Sequence, residues 1–159
     1  MEHETPFRAL GFLLNDVARL MRKRFEQQAR AGALPLTRAQ STVLAYLARQ
    51  EGLNQAALAQ ILEIEPITLA RLLDRLQRAG LVERRPDPKD RRAHLLYFTE
   101  AAYPLLDRIF ALAAAVREDA MAGIKEADRA RLVAILTVMK SNLAARATEG
   151  EATEVFVNG

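Results

Sequence analysis

The stretch at residues 53–98 constrains the fold more than any other, because it holds an ordered series of local signals. Asn54 has the side chain of a helix N-cap, and Leu53 and Leu58 lie at the spacing of a hydrophobic staple. These residues predict a short helix. Pro66 then suits the first turn of a second helix, which follows after a tight turn.

This second helix leads directly into two extended runs. Its leucines recur at helical spacing, and Gly80 suits a left-handed stop at its end. Residues 81–85 and 93–98 flank the polar segment PDPKDRR and predict a β-hairpin with a longer loop. Two short helices followed by a hairpin predict a winged helix-turn-helix. The predicted buried leucines are Leu69, Leu72, Leu73 and Leu76.

Longer amphipathic helices are predicted on both sides of this region. One runs from a start at Thr5 to about Ala31, and Thr37 caps the next. After the hairpin, Thr99 is expected to cap a fifth helix, and a sixth runs over residues 126–146. The terminal helices carry more apolar residues than a small lobe can bury, which predicts a partner chain. The fifth helix is expected to bury Leu105, Leu106, Ile109, Phe110, Leu112 and Val116.

Composition favours a mainly α-helical protein and excludes several kinds of site. Half of the 159 residues are apolar, 27% are charged and 6% are aromatic, which is typical of a helical core of aliphatic residues. The sequence has no Cys, which excludes disulfides, thiolate metal sites and cysteine redox switches. No apolar run approaches the roughly 20 residues of a membrane span, and the start lacks the layout of a signal peptide. A soluble cytoplasmic protein is expected.

Positive charge is concentrated in one part of the chain. The net charge is +3, but residues 71–92 alone carry eight basic and four acidic side chains, a net of +4. Residues 100–159 carry seven basic and nine acidic side chains, a net of −2. A local excess of this kind indicates either a face that binds a polyanion or an ordinary solvated surface.

The helix after Pro66 has a polar face that suits contact with nucleic acid. A hydroxyl and three guanidiniums follow at offsets of three, seven and ten, which fall on one side of a helix. Arginine can hold guanine bidentately or bind a phosphate. The alternative is an exposed surface on which Asp74 pairs with a neighbouring arginine. The four residues are Thr68, Arg71, Arg75 and Arg78.

The hairpin loop favours the nucleic-acid interpretation. Its closely spaced cations repel one another, which is unfavourable unless the loop binds an anion. A projecting Arg suits a narrow minor groove. We expect Asp90 to hold Arg92 by a charge-assisted hydrogen bond, which leaves Arg91 to reach DNA. A solvated charged turn is the alternative. The basic residues are Arg84, Arg85, Lys89, Arg91 and Arg92.

The sequence offers little to support catalysis. His3 lies near the chain start and His94 in a hairpin strand, and neither belongs to a cluster with metal-ligand spacing. There is no glycine-rich phosphate loop. No enzyme activity, catalytic residue, metal or cofactor is therefore expected. The rival function is a winged-helix dimer that serves as a protein–protein interaction scaffold without reading DNA.

The ordered motifs resemble the MarR family of transcriptional regulators. LTRAQSTVLAYL and the L-A-x-x-L helix are followed by R-L-L-D-x-L, G-L-V-x-R and D-x-R, in that order. The segment DRRAHLLYFTEAAYPLLDRI is most similar to the SlyA-type branch. The resemblance covers about residues 7–146. The cysteine of the peroxide-sensing branch is absent here, so thiol sensing is not implied.

The resemblance implies a homodimer that binds double-stranded DNA at a pseudo-palindromic operator, as a repressor. Residues 1–35 and 100–146 would supply dimerisation helices, residues 36–99 the DNA-binding lobe, and residues 147–159 a mobile tail. Each recognition helix would enter a major groove and each wing a minor groove. Asp90 would stabilise the wing. The DNA contacts implied or expected are Thr68, Arg71, Arg75, Arg78, Arg85, Lys89, Arg91 and Arg92.

The resemblance also implies release from DNA by a phenolic or aromatic carboxylate effector. The effector would bind in a cleft between the dimerisation helices and the lobe. Arg19 and Arg22 could attract its carboxylate. The same apolar residues are equally candidates for ordinary core positions. They are Phe12, Leu13, Val17, Met21, Leu44, Leu47 and Phe110.

Overall fold

The computed structural model describes the backbone from Ala9 to Val157 and the side chains from Ala9 to Arg146. It contains six α-helices and one antiparallel hairpin in this part of the chain, which confirms a mainly α winged helix-turn-helix. The helices are α1 (Leu10–Ala31), α2 (Arg38–Leu47), α3 (Gln55–Leu62), α4 (Pro66–Arg78), α5 (Tyr103–Ala120) and α6 (Glu126–Val157). The strands are β1 (Val82–Pro86) and β2 (His94–Phe98), and a 3-10 turn occupies Glu100–Ala102.

The chain divides into two compact units. The first ends at Arg117 and contains α1 to α4, the hairpin and most of α5. The second begins at Glu118 and contains α6. Helix α6 continues well beyond the predicted end at Arg146, although the mobility expected for residues 147–159 stays a prediction.

An aliphatic core holds the first unit together. Helices α2, α3 and α4, the hairpin and α5 each contribute buried side chains to one cluster. Burying one such leucine stabilises a fold by about 1.5–3 kcal/mol, so these contacts determine how α4 and the hairpin are placed. The fully buried leucines are Leu44, Leu47, Leu58, Leu69, Leu73, Leu76 and Leu96.

The hairpin is anchored at its base. Val82 pairs with Phe98 and Arg84 with Leu96 in an antiparallel register. The Leu96 N–H donates to the Leu53 carbonyl at 3.0 Å, so the residues before α3 extend the sheet along β2. The base of the wing is therefore attached to the start of α3.

Two predicted N-caps are confirmed. The Thr37 hydroxyl accepts a hydrogen bond from the Gln40 N–H at 3.2 Å, and the Gln40 side chain accepts from the Thr37 N–H at 2.9 Å, a complete capping box. The Asn54 side chain accepts from the Ala57 N–H at 2.7 Å. These caps satisfy N–H groups that helices α2 and α3 leave without an intrahelical partner.

Two expectations about helix ends and burial need correction. Thr99 makes no capping bond; its hydroxyl donates to the Gly80 carbonyl, and a 3-10 turn precedes α5. Gly80 has a φ of +72°, as a left-handed stop requires, and this turns its carbonyl toward Thr99. Phe110 was expected inside but is 47% exposed on α5. The Thr5 cap lies outside the described residues.

Apolar side chains line outward faces of α1 and of α6. On α1, Phe12 is 78% exposed, and its neighbours along the helix are exposed as well. On α6, Val133 and Leu143 are among several exposed aliphatic residues. No helix within the described residues is both long enough and apolar enough to cross a bilayer.

The Thr37 capping box supports a stability prediction. Thr37→Ala removes the acceptor for the Gln40 N–H and should lower the free energy of unfolding by about 0.5–2 kcal/mol. Thr37→Ser keeps a hydroxyl at the same place and serves as the matched control. Urea unfolding at fixed protein concentration measures both variants. Equal stability of the alanine and serine variants would contradict a contribution from the cap.

Candidate nucleic-acid interface

Helix α4 presents three different stripes along its length. Leu69, Leu73 and Leu76 face the core. Ala70, Asp74 and Gln77 lie at offsets of four and seven and therefore share a second stripe. The residues predicted to contact DNA form a third stripe, about a third of a turn from the second.

The third stripe is open to solvent. Its members Thr68, Arg71, Arg75 and Arg78 are all exposed. The Arg78 Nε donates to the Asp74 carbonyl at 3.2 Å, which directs its side chain back along the helix. For Arg71 and Arg75 the described residues supply no side-chain hydrogen bond or ion pair. These two guanidiniums can therefore accept an external anion without breaking an existing contact.

Asp74 does not pair with the stripe of predicted DNA contacts. Its Oδ1 lies 2.8 Å from the Arg84 NH1 on β1. The alternative, in which Asp74 pairs with Arg71 or Arg78, is not what the structure has, because Asp74 lies on the neighbouring stripe, which faces the hairpin. The positive charge of Arg71 therefore has no carboxylate opposing it within the described part of the chain.

Arg84 connects the hairpin to two helices. Its NH1 donates to the Gln77 Oε1 at 2.7 Å, its Nε to the Gln55 Oε1 at 3.2 Å, and its NH2 to the Ala70 carbonyl at 3.3 Å. The side chain is only 18% exposed. We predicted that Arg84 belongs with the loop cations and did not predict its contacts with the two helices. Strand alternation, which puts Arg84 on the face of buried Val82, was the signal that could have found it.

Arg85 lies on the opposite face of the hairpin. Its guanidinium stands 4.0 Å from the centroid of the Tyr97 ring and bonds to the Glu83 carboxylate. Glu83 pairs with Tyr97 in the register, so the three side chains form one cluster. The side chain of Arg85 remains 56% exposed, and exposed ion pairs of this kind contribute little free energy.

Two aspartates shape the loop of the wing. The Asp87 carboxylate accepts from the Lys89 N–H at 2.8 Å, and the Asp90 carboxylate accepts from the Arg92 N–H at 2.9 Å. Each closes a turn across two residues, as Asx turns do. Asp90 therefore holds the backbone of Arg92, whereas we expected it to hold the guanidinium. The sequence analysis assigned no role to Asp87.

The loop leaves its cations exposed beside the recognition helix. Lys89, Arg91 and Arg92 are exposed, and no side chain or carbonyl among the described residues bonds to their charged groups. Arg92 also lines a recess of about 400 Å³ with the first residues of α3 and α4. The wing and the N-terminal ends of both helices therefore border one concave surface. The recess is lined by Asn54, Gln55, Ala56, Pro66, Asp90, Arg92, Ala93 and His94.

A second concavity lies away from this surface, within the first unit. It is a cleft of about 290 Å³ with mainly apolar walls from α1, α2 and α5. Ser41 is buried at 3% exposure, and its hydroxyl has no hydrogen-bond partner among the described residues. Three arginines also line the cleft. The lining consists of Met21, Arg22, Phe25, Arg38, Ser41, Thr42, Ala45, Ile109, Ala113, Val116 and Arg117.

Only one of the seven residues suggested for an effector lines this cleft, and it is Met21. Leu44 and Leu47 are completely buried in the lobe core, because α2 turns them toward α3 and α4 and turns Ser41 toward the cleft. Phe12, Leu13, Val17 and Phe110 are exposed on their helices. Of the two arginines suggested for a carboxylate, Arg22 lines the cleft and Arg19 pairs with Asp16 at 3.1 Å.

No metal site was expected. Within the described residues, no group of three or more His, Cys, Asp or Glu side chains could hold an ion.

Comparison with known proteins identifies the family. The model of the MarR family matches residues 34–93, from the start of the lobe through the wing loop. The transcriptional regulator PA3341 is 37% identical over 85% of this chain and 98% of its own, with a TM-score of 0.73. A MarR-family transcriptional regulator from Silicibacter pomeroyi is 29% identical over 84% of this chain and 88% of its own, also with a TM-score of 0.73.

Of these three structures, that of MarR has the highest TM-score. It has a TM-score of 0.79 and 26% identity, and the match covers 94% of this chain and 98% of MarR. Proteins of this family regulate transcription and are not enzymes. The winged lobe, the match over that lobe and the similarity along nearly the whole chain agree, and the chain belongs to the MarR family of transcriptional regulators.

Proposed function

We propose that this chain represses transcription as a homodimer that binds a pseudo-palindromic DNA operator. One observation carries the proposal: the wing loop and the first residue of α4 border one concave surface, and both the loop and α4 carry exposed cations. Double-stranded DNA offers one negative charge per about 1.7 Å, and such a surface matches it in charge and in shape. The recognition helix would occupy the major groove and the wing the flanking minor groove.

The residues divide into four roles in this proposal. Arg71 and Arg75 contact bases or phosphates in the major groove, with Thr68 near the start of α4. Arg91 enters the minor groove, where it meets the enhanced negative potential of narrow A·T tracts. Asp90 stabilises the wing loop. The phosphate contacts are Arg78, Arg85, Lys89 and Arg92, of which Arg85 would first leave Glu83.

A homodimer would bring two such surfaces to one DNA duplex. The exposed apolar faces of α1 and α6 suit burial against a second copy, because patches of this kind on a monomer are unusual. Recognition helices related by a two-fold axis read half-sites centred about one helical turn apart. The SlyA-type branch and a cytoplasmic location fit this function and remain predictions.

The role of the wing tip is tested by Arg91→Ala. Loss of a groove-inserted guanidinium should weaken operator binding about tenfold and make the slope of log affinity against log salt less steep by about 0.9 per lost phosphate contact. Fluorescence anisotropy titrations at several salt concentrations measure both quantities. Arg131→Ala, an exposed arginine of α6 outside the proposed surface, is the control. An unchanged affinity of the Arg91 variant would contradict a minor-groove contact.

The role of α4 is tested by Arg71→Ala. If Arg71 reads a base, its removal should cost about 1–3 kcal/mol on the operator and much less on random DNA. Titration of both duplexes with the variant and with the wild-type protein separates the two cases. Equal losses on both duplexes would assign Arg71 to the phosphate backbone.

We also propose that an aromatic carboxylate binds the cleft between α1, α2 and α5 and releases the DNA. The apolar walls suit an aromatic ring, and Arg22, Arg38 and Arg117 suit a carboxylate. The buried Ser41 hydroxyl offers a hydrogen bond that the described residues leave unused. The cleft is formed in part by α2, which packs against α4 in the lobe core, so a ligand there can bias the position of α4.

Ser41→Ala separates ligand binding from stability. The hydroxyl has no partner among the described residues, so its removal should leave the free energy of unfolding unchanged or slightly higher. Affinity for benzoate and 2-hydroxybenzoate should fall about fivefold, the loss of one hydrogen bond of about 1 kcal/mol. Calorimetric titration and denaturant unfolding give the two readouts. An unaltered affinity for these compounds would mean that they do not bind at Ser41.

A further inference from the structure

We propose that Arg84 is a positioning residue for DNA binding: it sets the orientation of the wing relative to the recognition helix and does not itself contact DNA. The proposal rests on the proposed DNA function. It assigns Arg84 a role different from that of the other cations of the hairpin, and the assignment depends on the placement of its guanidinium.

Backbone hydrogen bonds hold β2 beside the residues that precede α3, whereas the polar contacts of the hairpin with α4 come from β1. A two-stranded hairpin is marginally stable by itself, so its direction depends on contacts with other elements. Val82 and Phe98 are buried at its base, whereas Arg85 and Pro86 at the outer end of β1 are exposed. In the described part of the chain, Arg84 is the outermost residue of β1 whose side chain bonds to a helix.

The contacts of Arg84 define a direction as well as a distance. The planar guanidinium donates to the Ala70 carbonyl and to Gln77 on α4, pairs with Asp74, and reaches Gln55 at the start of α3. Acceptors on two helices prevent rotation about any single bond. A lysine cannot reproduce this arrangement, because its ammonium lacks the planar fork.

The second stripe of α4 therefore determines where the wing points. Ala70, Asp74 and Gln77 hold the hairpin by Arg84, while Arg71 and Arg75 lie on the adjacent stripe, about a third of a turn around the helix. In the proposed complex, the two stripes of one rigid helix thus relate the major-groove contact to the minor-groove contact. Without Arg84 the wing should remain folded at its base but lose this fixed relation.

The test is a double-mutant cycle on the full-length protein with a selected operator duplex. In the wild-type background Arg91→Ala should weaken binding about tenfold, whereas in an Arg84→Met background it should change binding by less than about twofold. Arg71→Ala should retain its full effect in both backgrounds, because the leucines hold α4 independently. Methionine keeps an unbranched apolar side chain in place of the aliphatic part of the arginine, and Asp74 is 54% exposed, so water can solvate the carboxylate left behind.

Thr37→Ala is the control background, because it destabilises the same lobe without touching the hairpin. The effect of Arg91→Ala should be the same there as in the wild type. A combined Asp74→Ala and Gln77→Leu variant removes two acceptors and keeps Arg84; it replaces Arg84→Met if that variant fails to fold. It too should abolish the effect of Arg91→Ala.

The outcomes are distinguishable. A full effect of Arg91→Ala in the Arg84→Met background, or in the combined variant when it replaces Arg84→Met, would overturn the positioning role and leave the DNA function intact. A wild-type protein that does not bind duplex DNA, or in which Arg91→Ala has no effect, would overturn the proposed function of the wing and the positioning role with it. Loss of the Arg91 effect alone, with the Arg71 effect retained, supports the proposal.

Discussion

Burial of the leucine stripe of α4 is the constraint on which the rest of the proposed interface depends. Three leucines of this helix are enclosed in the core, and each contributes about 1.5–3 kcal/mol, well above an exposed ion pair. Successive residues are about 100° apart around a helix, so burial of one stripe determines the direction of the other two. One meets the hairpin by Arg84 and the other carries Arg71 and Arg75. The contacts that stabilise the lobe therefore also orient its charges.

Local signals were sufficient to predict the fold of the lobe. The caps at Thr37 and Asn54 depend on residues three positions apart, and the helix start at Pro66 and the helix stop at Gly80 depend on single φ preferences. The leucine spacing of α4 indicated its buried face directly. The hairpin strands were predicted within one residue of their ends, because the polar segment PDPKDRR separates two apolar runs. Interactions between residues close together in the sequence were therefore enough to predict most of the fold of the lobe.

Contacts between segments far apart in the sequence could not be predicted from such local signals. Alternation predicts that Arg84 and Arg85 point to opposite faces of β1, but the face that meets α4 depends on how the hairpin packs. Helix α2 is similar: Ser41 and Leu44 are less than one turn apart and both are buried, and only the packing of α1 and α5 decides that Ser41 lines the cleft while Leu44 enters the core. Thr99 has the side chain of an N-cap, yet its hydroxyl bonds to Gly80, 19 positions earlier in the chain.

Some arginines of the basic segment are paired within the protein and others are not, so only part of the local positive charge is available to an external anion. Counterion release depends on the cations that meet phosphates, so charge that is already paired within the protein adds little to it. Arg84 is paired with Asp74 and Arg85 with Glu83, which removes two of the eight basic residues of the segment from that count in the described conformation. Asp87 and Asp90 instead bind backbone N–H groups and leave the guanidiniums around them unpaired. In this lobe, the partner of each carboxylate therefore predicts the electrostatic contribution to DNA binding better than net charge does.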